Sequence, residues 1–333
     1  MVKFNKYVEI GEPVAVPDAI AAGITKAAQK NDKILAILED MGFPGIGWFH
    51  KNAPDRVVEC GIAEGNAAVV AAGLAAEGFV PIIFSLAFAC VGRAYNQIRQ
   101  SILADRFNVK ILGREGAWGG LGMSHNTVEG FGMMRILPNM VVVNPADAVE
   151  SEKMVMAIAE YVGPVFMRLE AGFGSPSPLK IFTEDYPFEI GKAYTIKDGK
   201  DATLIATGYM LTEAIKAAEF LDKEGIDTRI INMSTIKPLD EDAVIKAAEE
   251  TGAIVTAENH SIIGGLGEAV AGVLAENVPT PMFRVGIEDE FSQSGVITEE
   301  VDELKVHFKL GAEDLASAVK ECIAKRDRLR VRH

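Results

Sequence analysis

The sequence predicts a two-domain α/β protein with parallel or mixed sheets flanked by helices, and three observations carry that prediction. Short apolar runs alternate with longer helical patterns, the order expected of a mostly parallel sheet covered on both faces. The alternation dissolves once, from 171 to about 200, where GFGSPSPLKIFTEDYPFEIGKAYTIKDGK is rich in Gly, Pro and Ser. It then resumes as a second βα series. Domains at 1–190 and 191–333 follow.

In chain order, strands are predicted at 33–38 (KILAIL), 80–85 (VPIIFS), 109–113 (VKILG), 140–144 (MVVVN) and 165–169 (VFMRL). Each is short and almost continuously apolar, as a strand buried on both faces should be. Helical stretches lie between them at 18–29, 63–76, 93–103, 129–135 and 148–161. The Gly/Pro/Ser segment reads as a linker with a hairpin-like lead into the second domain, and KDGK at 197–200 reads as a turn. Strands at 202–207, 228–233, 253–257 and 282–286 complete the second series.

Composition limits the function. Lys and Arg number 33 against 47 Asp and Glu, so a formal charge of -14 repels nucleic acid and anionic membranes, and neither is an expected partner. Three cysteines without a CxxC pair make neither a disulfide framework nor a zinc site, which suits a reducing cytoplasm. The start of the sequence has no apolar signal-type core, and no apolar run approaches the roughly 18 residues of a membrane span. The expectation is a soluble, cytoplasmic protein.

One acid stands out. In CGIAEGNAAVVAAGLAAEG, Glu64 opens a helix of Ala and Gly whose backbone can approach a neighbour closely. A buried core helix explains the alanines. A subunit interface explains them equally, with Glu64 at the helix N-terminus, where the dipole favours its charge and burial opposes it. A buried carboxyl needs a partner, and a ligand is one such partner.

The stretch GIAEGNAAVVAAGLAAEGFVPIIFSLAFACVGRAYNQIRQSI resembles the pyrimidine-binding domain of the transketolase family, where a GIAEQN-like segment precedes AxGLAxxGxxP and RAxDQIR. The resemblance continues through GGLGMSHNTVEGFGMMRILPNMVVVNPADAVE and, in the second domain, through ATGYMLTEAIKAA, IDTRIINMSTIKPLD, TGAIVTAENH and GGLGEAVA. It spans about residues 15–325 and corresponds to the C-terminal half of a full-length transketolase. It implies a thiamine diphosphate pyrimidine-binding fold followed by a transketolase C-terminal domain.

That resemblance also implies chemistry. Glu64 matches the acid that hydrogen-bonds N1' of the aminopyrimidine and makes the cofactor's own imino group the base; the reaction implied is transfer of a two-carbon ketol unit between sugar phosphates. Asp40, in LAILEDM, falls where relatives carry an acid against the cofactor; a strand-end acid or helix cap is the competing reading. His125 of MSHNTVEG matches a histidine that contacts the substrate or the cofactor side of the pocket and is a catalytic candidate, and Arg168 of VFMRL an arginine that binds the substrate phosphate, with a surface ion pair as the competing reading. His260 is expected to be structural. The aromatic positions that stack on the pyrimidine fall on Ala87 and Cys90, so Phe88 is the expected platform after a one-residue shift. Relatives carry Asp, to read a donor hydroxyl, where this chain has Leu121, and an unusual ketose fits that departure.

The GDG motif with a downstream Asn that holds the diphosphate and Mg2+ in this family does not occur in the sequence. The expectation is a split transketolase: this chain is the C-terminal subunit, an N-terminal transketolase subunit holds most of the diphosphate and metal, and the two assemble as a heterotetramer that includes self-association. The alternatives are a 2-oxo acid dehydrogenase E1 beta-like subunit, a 1-deoxyxylulose-phosphate synthase-like subunit, and a non-catalytic structural relative.

Overall fold

The computed structural model describes residues 3–42, 44–114, 116–117, 122–170, 177–291 and 301–331. Its first sheet contains β1 (Ile34–Leu38), β2 (Val57–Glu59), β3 (Val80–Leu86), β4 (Lys110–Arg114), β5 (Val141–Val143) and β6 (Val165–Leu169). The second contains β7 (Tyr194–Lys197), β8 (Ala202–Ala206), β9 (Thr228–Asn232), β11 (Ile254–Ser261) and β12 (Met282–Ile287). The remaining strand, β10 (Thr235–Lys237), follows the second-domain strand β9 in sequence but joins the first sheet, pairing antiparallel with β5 in the register Thr235↔Val143.

The strand orders are β10-β5-β6-β4-β3-β1-β2 and β12-β11-β8-β9-β7. All first-sheet neighbours except β10 are parallel, and in the second sheet only β7 runs antiparallel, against β9. Complete burial of β1, β6 and β8 explains their uninterrupted apolar sequences, because helices cover both faces.

Three departures from the sequence expectations have physical causes. The lead into the second domain is not a hairpin: β7 pairs with the distant β9, and the chain before it runs beside the N-terminal segment through the bridges Val8↔Phe182 and Pro13↔Leu179. The helix expected at 93–103 begins earlier, at Phe88, and contains wide π-helical turns at Phe88–Arg93 and Ile98–Leu103. A helix at Ile46–Asn52 also forms that the apolar pattern did not show.

Helix packing follows from small residues and caps. Helix Val16–Lys30 lies against Ala148–Glu160, and a Cβ on Gly23 would sit 3.0 Å from both the Glu152 carbonyl and Val155 Cβ. Asp147 caps the second helix: Oδ1 accepts from Glu150 N at 2.7 Å, while Oδ2 accepts from Ile181 N and Phe182 N at 2.8 and 2.9 Å. The same buried carboxyl therefore fixes a helix start and the crossing segment. Asp147→Ala should cost about 3 kcal/mol, a lost cap plus stranded buried donors, read as a lowered urea midpoint.

The apolar core is continuous across both sheets; Ile37 and Phe166 of the first share a cluster with Ile205 and Ile231 of the second. No described helix is long and apolar enough to cross a membrane.

Candidate cofactor site

Four loops meet on one side of the first sheet, following the carboxyl ends of the adjacent parallel strands β4, β3, β1 and β2. Such an edge is where open α/β sheets place ligands. After β2 comes helix Glu64–Ala76, after β3 the π-helical segment Phe88–Arg93, and after β4 the loop carrying His125.

Glu64 is 7% exposed, in the first turn of its helix. Its Oε1 accepts a hydrogen bond from Arg93 Nη1 at 2.8 Å, so the carboxyl has a cation and the helix dipole on its side. Arg93 in turn lies 5.4 Å from the centroid of Phe88, and Phe88 meets His125 edge-on with centroids 5.1 Å apart. Glu64, Arg93, Phe88 and His125 thus form one row. The π-helical turn brings two members of that row, Phe88 and Arg93, from a single short segment. His125 is half-buried, with Nδ1 2.8 Å from Ser124 Oγ.

The neighbouring positions explain why the aromatic is Phe88. Ala87 is fully buried, and its Cβ lies 3.4 Å from the point where a Cβ on Gly113 would sit, a point only 2.7 Å from the Phe166 ring. A ring at 87 has no room there. Cys90 is buried among apolar side chains as well. Leu121 lies outside the described residues.

Asp40 and Arg168 do not join the row. Asp40 is exposed in a left-handed conformation (φ 54°), and its N–H donates to Glu59 Oε1 at 2.9 Å. The acid that turns inward at the end of β1 is its neighbour Glu39, 4% exposed, whose Oε2 contacts the Ser85 hydroxyl. Burial pushes the Glu39 carboxyl up to about 7, with the Glu64 and Glu59 charges adding to the rise against the Ser85 hydrogen bond. The signal for Glu39 was an acid directly after five apolar strand residues; its neighbour Asp40 drew the family match instead.

Arg168 is fully buried where the two sheets face each other. Its Nη2 donates to the Asn259 carbonyl and its Nη1 lies 3.4 Å from Glu170 Oε1, with Phe131 beneath the guanidinium at 4.6 Å. Glu170 also accepts from Asn144 Nδ2 and Asn259 Nδ2, each at 2.9 Å. Asn259 Oδ1 accepts from Ala117 N, and Asn126 Nδ2 donates to Ala117 O, both at 3.0 Å. Arg168 therefore stands in a polar network that ties the second domain to the loop of His125. An enclosed guanidinium offers no surface to a phosphate, so in this arrangement it supports the loop instead.

His260 is buried and neutral. Its Nε2 accepts from Phe131 N at 3.0 Å, which leaves Nδ1 to donate to the Ser261 carbonyl at 2.7 Å, and burial, aided by Arg168, pushes its pKa down to about 3. It fixes the start of helix Gly130–Arg135.

Comparison with known proteins identifies the family. The family model described as transketolase, pyrimidine binding domain, matches residues 12–172, and that for transketolase, C-terminal domain, matches 191–309. The chain belongs to the transketolase family. It is 39% identical to the 6-deoxy-6-sulfo-D-fructose transketolase subunit SqwH of Clostridium sp. (strain MSTE9), over 88% of this chain and 90% of that protein. It is 36% identical to an apulose-4-phosphate transketolase subunit of Phocaeicola vulgatus, over 91% and 95%. Among solved structures, one titled as a split gene transketolase, inactive beta4 tetramer, superposes with a TM-score of 0.83 at 38% identity, covering 94% of this chain and 99% of that one. This transketolase-family chain thus matches proteins named as transketolase subunits along most of their length.

Proposed function

We propose that the chain is the C-terminal subunit of a split, thiamine diphosphate-dependent transketolase, contributing the pyrimidine side of the site. The observation that carries this reading is the buried Glu64 carboxyl at a helix N-terminus, paired with Arg93 and set beside Phe88 and His125. That set of side chains fits an aminopyrimidine: Glu64 would meet a ring nitrogen and the half-buried Phe88 would offer a ring for stacking. When bound, thiamine diphosphate supplies a stabilised carbon nucleophile that can accept and release a two-carbon ketol unit.

The chain's own residues then have separable tasks. Glu64 holds and exchanges a proton at N1'; Arg93 keeps that carboxyl oriented; Phe88 fixes the ring plane; His125 stands ready to hydrogen-bond substrate oxygens. The two named relatives act, by their names, on different sugars, so the proposed substrate class is ketose donors and aldose acceptors, with sugar phosphates among them.

Subunit partners are part of the proposal. Among the described residues no group of three or more His, Cys, Asp or Glu side chains could hold a metal ion. We assign the Mg2+ and diphosphate ligands to an N-terminal subunit, in a heterotetramer in which this chain also self-associates. The outward face of helix Glu64–Ala76 supports such a contact, because Val69 is 48% exposed, Gly73 has open space beside it and Ile62, just before the helix, is 71% exposed. The beta4 tetramer named for the solved relative supports self-association.

Calorimetric titration with thiamine diphosphate and Mg2+ tests the division of labour. The chain alone should show no tight, metal-dependent binding, and adding the N-terminal subunit should restore it. Tight metal-dependent binding by the chain alone would overturn the split site.

A further inference from the structure

We propose that Glu39 is a positioning residue of the Glu64 site, held as a neutral carboxylic acid so that the two acids together carry one negative charge. Its purpose rests on the cofactor reading above; its protonation rests on geometry alone.

The geometry is a count of hydrogens. Ser85 Oγ touches Glu39 Oε2 and also lies 3.2 Å from the Leu86 carbonyl oxygen. A hydroxyl has one hydrogen and cannot donate to both. Both contacts become hydrogen bonds when Glu39 supplies its own proton to Ser85 Oγ and Ser85 passes its hydrogen to Leu86 O. The other carboxyl oxygen, Oε1, is buried with no hydrogen-bond partner among the described residues. As half of a carboxylate it would carry charge without compensation; as the carbonyl oxygen of an acid it carries little.

The charges around the pair point the same way. Facing Glu39 are Ser85 of β3, Glu64 at the start of its helix, Glu59 of β2 and the Cys60 thiol just after it, which burial and the Glu59 and Glu39 charges push up and so keep neutral; Glu59 already accepts from Asp40 N and Gly61 N at 2.9 and 2.8 Å. Arg93 is the cation at hand, and its bond goes to Glu64. With Arg93 paired to Glu64 and the Glu59 charge close by, Glu39 and Glu64 do not both ionise, and the proton belongs on the acid without the cation. The raised pKa of Glu39, about 7, agrees.

The consequence concerns Glu64. While Glu39 is neutral, Glu64 is the one of the two acids that carries charge, free to accept and return a proton. When Glu39 ionises, a second negative charge stands beside Glu64 and disturbs that exchange.

The test uses the intact chain with 13C-labelled glutamate Cδ, the signals assigned through E39Q and E64Q, titrated by NMR from about pH 4 to about pH 9. Glu39 should inflect near pH 7, with a smaller inflection at the same pH on Glu64 that E39Q abolishes. Ser85→Ala removes the hydroxyl and should displace the Glu39 inflection. An inflection of Glu39 in the ordinary carboxylate range, or a Glu64 signal indifferent to E39Q, overturns the proposal. In the reconstituted two-subunit enzyme, E39Q should keep the neutral shape and flatten the pH–rate limb near 7; an unchanged limb also counts against it. The two readings fail separately: full turnover by E64Q would remove the cofactor role, while the wild-type titration of Glu39 tests its protonation with no partner or cofactor present.

Discussion

Glu64→Gln lowers turnover of the reconstituted two-subunit enzyme by about two to four orders of magnitude, the range for losing a positioned proton-transfer group. Glutamine keeps the length and offers an amide N–H, which can still donate to the ring nitrogen. It cannot carry the proton that the carboxyl exchanges there. Folding should change little, by less than about 1 kcal/mol, because the abandoned partner Arg93 has a side chain 57% exposed and takes water in place of the carboxylate. Steady-state turnover and urea unfolding on the same preparations separate the two effects. Full turnover with normal binding would end the proposed role of Glu64, and an equal loss of stability would make its role structural.

Gly208→Ala should be strongly destabilising. Gly208 has φ 58°, and a Cβ built there lies 2.0 Å from Glu170 Oε1 and 2.1 Å from Asn144 Nδ2. Those two groups bond to each other at 2.9 Å and hold the network that includes Arg168 and Asn259. The methyl group must therefore break a buried, charged contact as well as strain the backbone, a combined cost of about 3 to 5 kcal/mol. Gly225→Ala is the control: its φ is 79° but nothing lies within 4 Å of the added carbon, so only the backbone cost of about 1 kcal/mol applies. Equal urea midpoints for the two variants would contradict the crowding argument.

The central strands were legible because a strand covered on both faces writes an unbroken apolar run. The strands that escaped, β2, β7 and β10, each have three or four residues and stand at the edges of their sheets, where half of the pattern is absent. For β10 the sequence says nothing of which sheet it joins; pairing with β5 is decided by tertiary packing across the domain boundary.

Within the site, Glu64 was conspicuous as an acid leading a run of alanines. Glu39 was not, since two acids follow β1 in succession and five fully buried residues give no inside-outside alternation to say which one turns inward. The Arg168 motif was equally clear, but its enclosure depends on Asn259, ninety-one residues away, and no local signal carries that.

The placement of β10 has a consequence for synthesis. Residues through Leu169 can emerge from the ribosome with every parallel strand of the first sheet in hand, yet β5 then keeps an open edge until Thr235–Lys237 appear. During that interval a nascent chain exposes unpaired backbone groups that invite pairing with another chain. A chaperone that shields β5, or a pause in translation placed after residue 237 and not before it, would decide how much of the protein reaches the folded state.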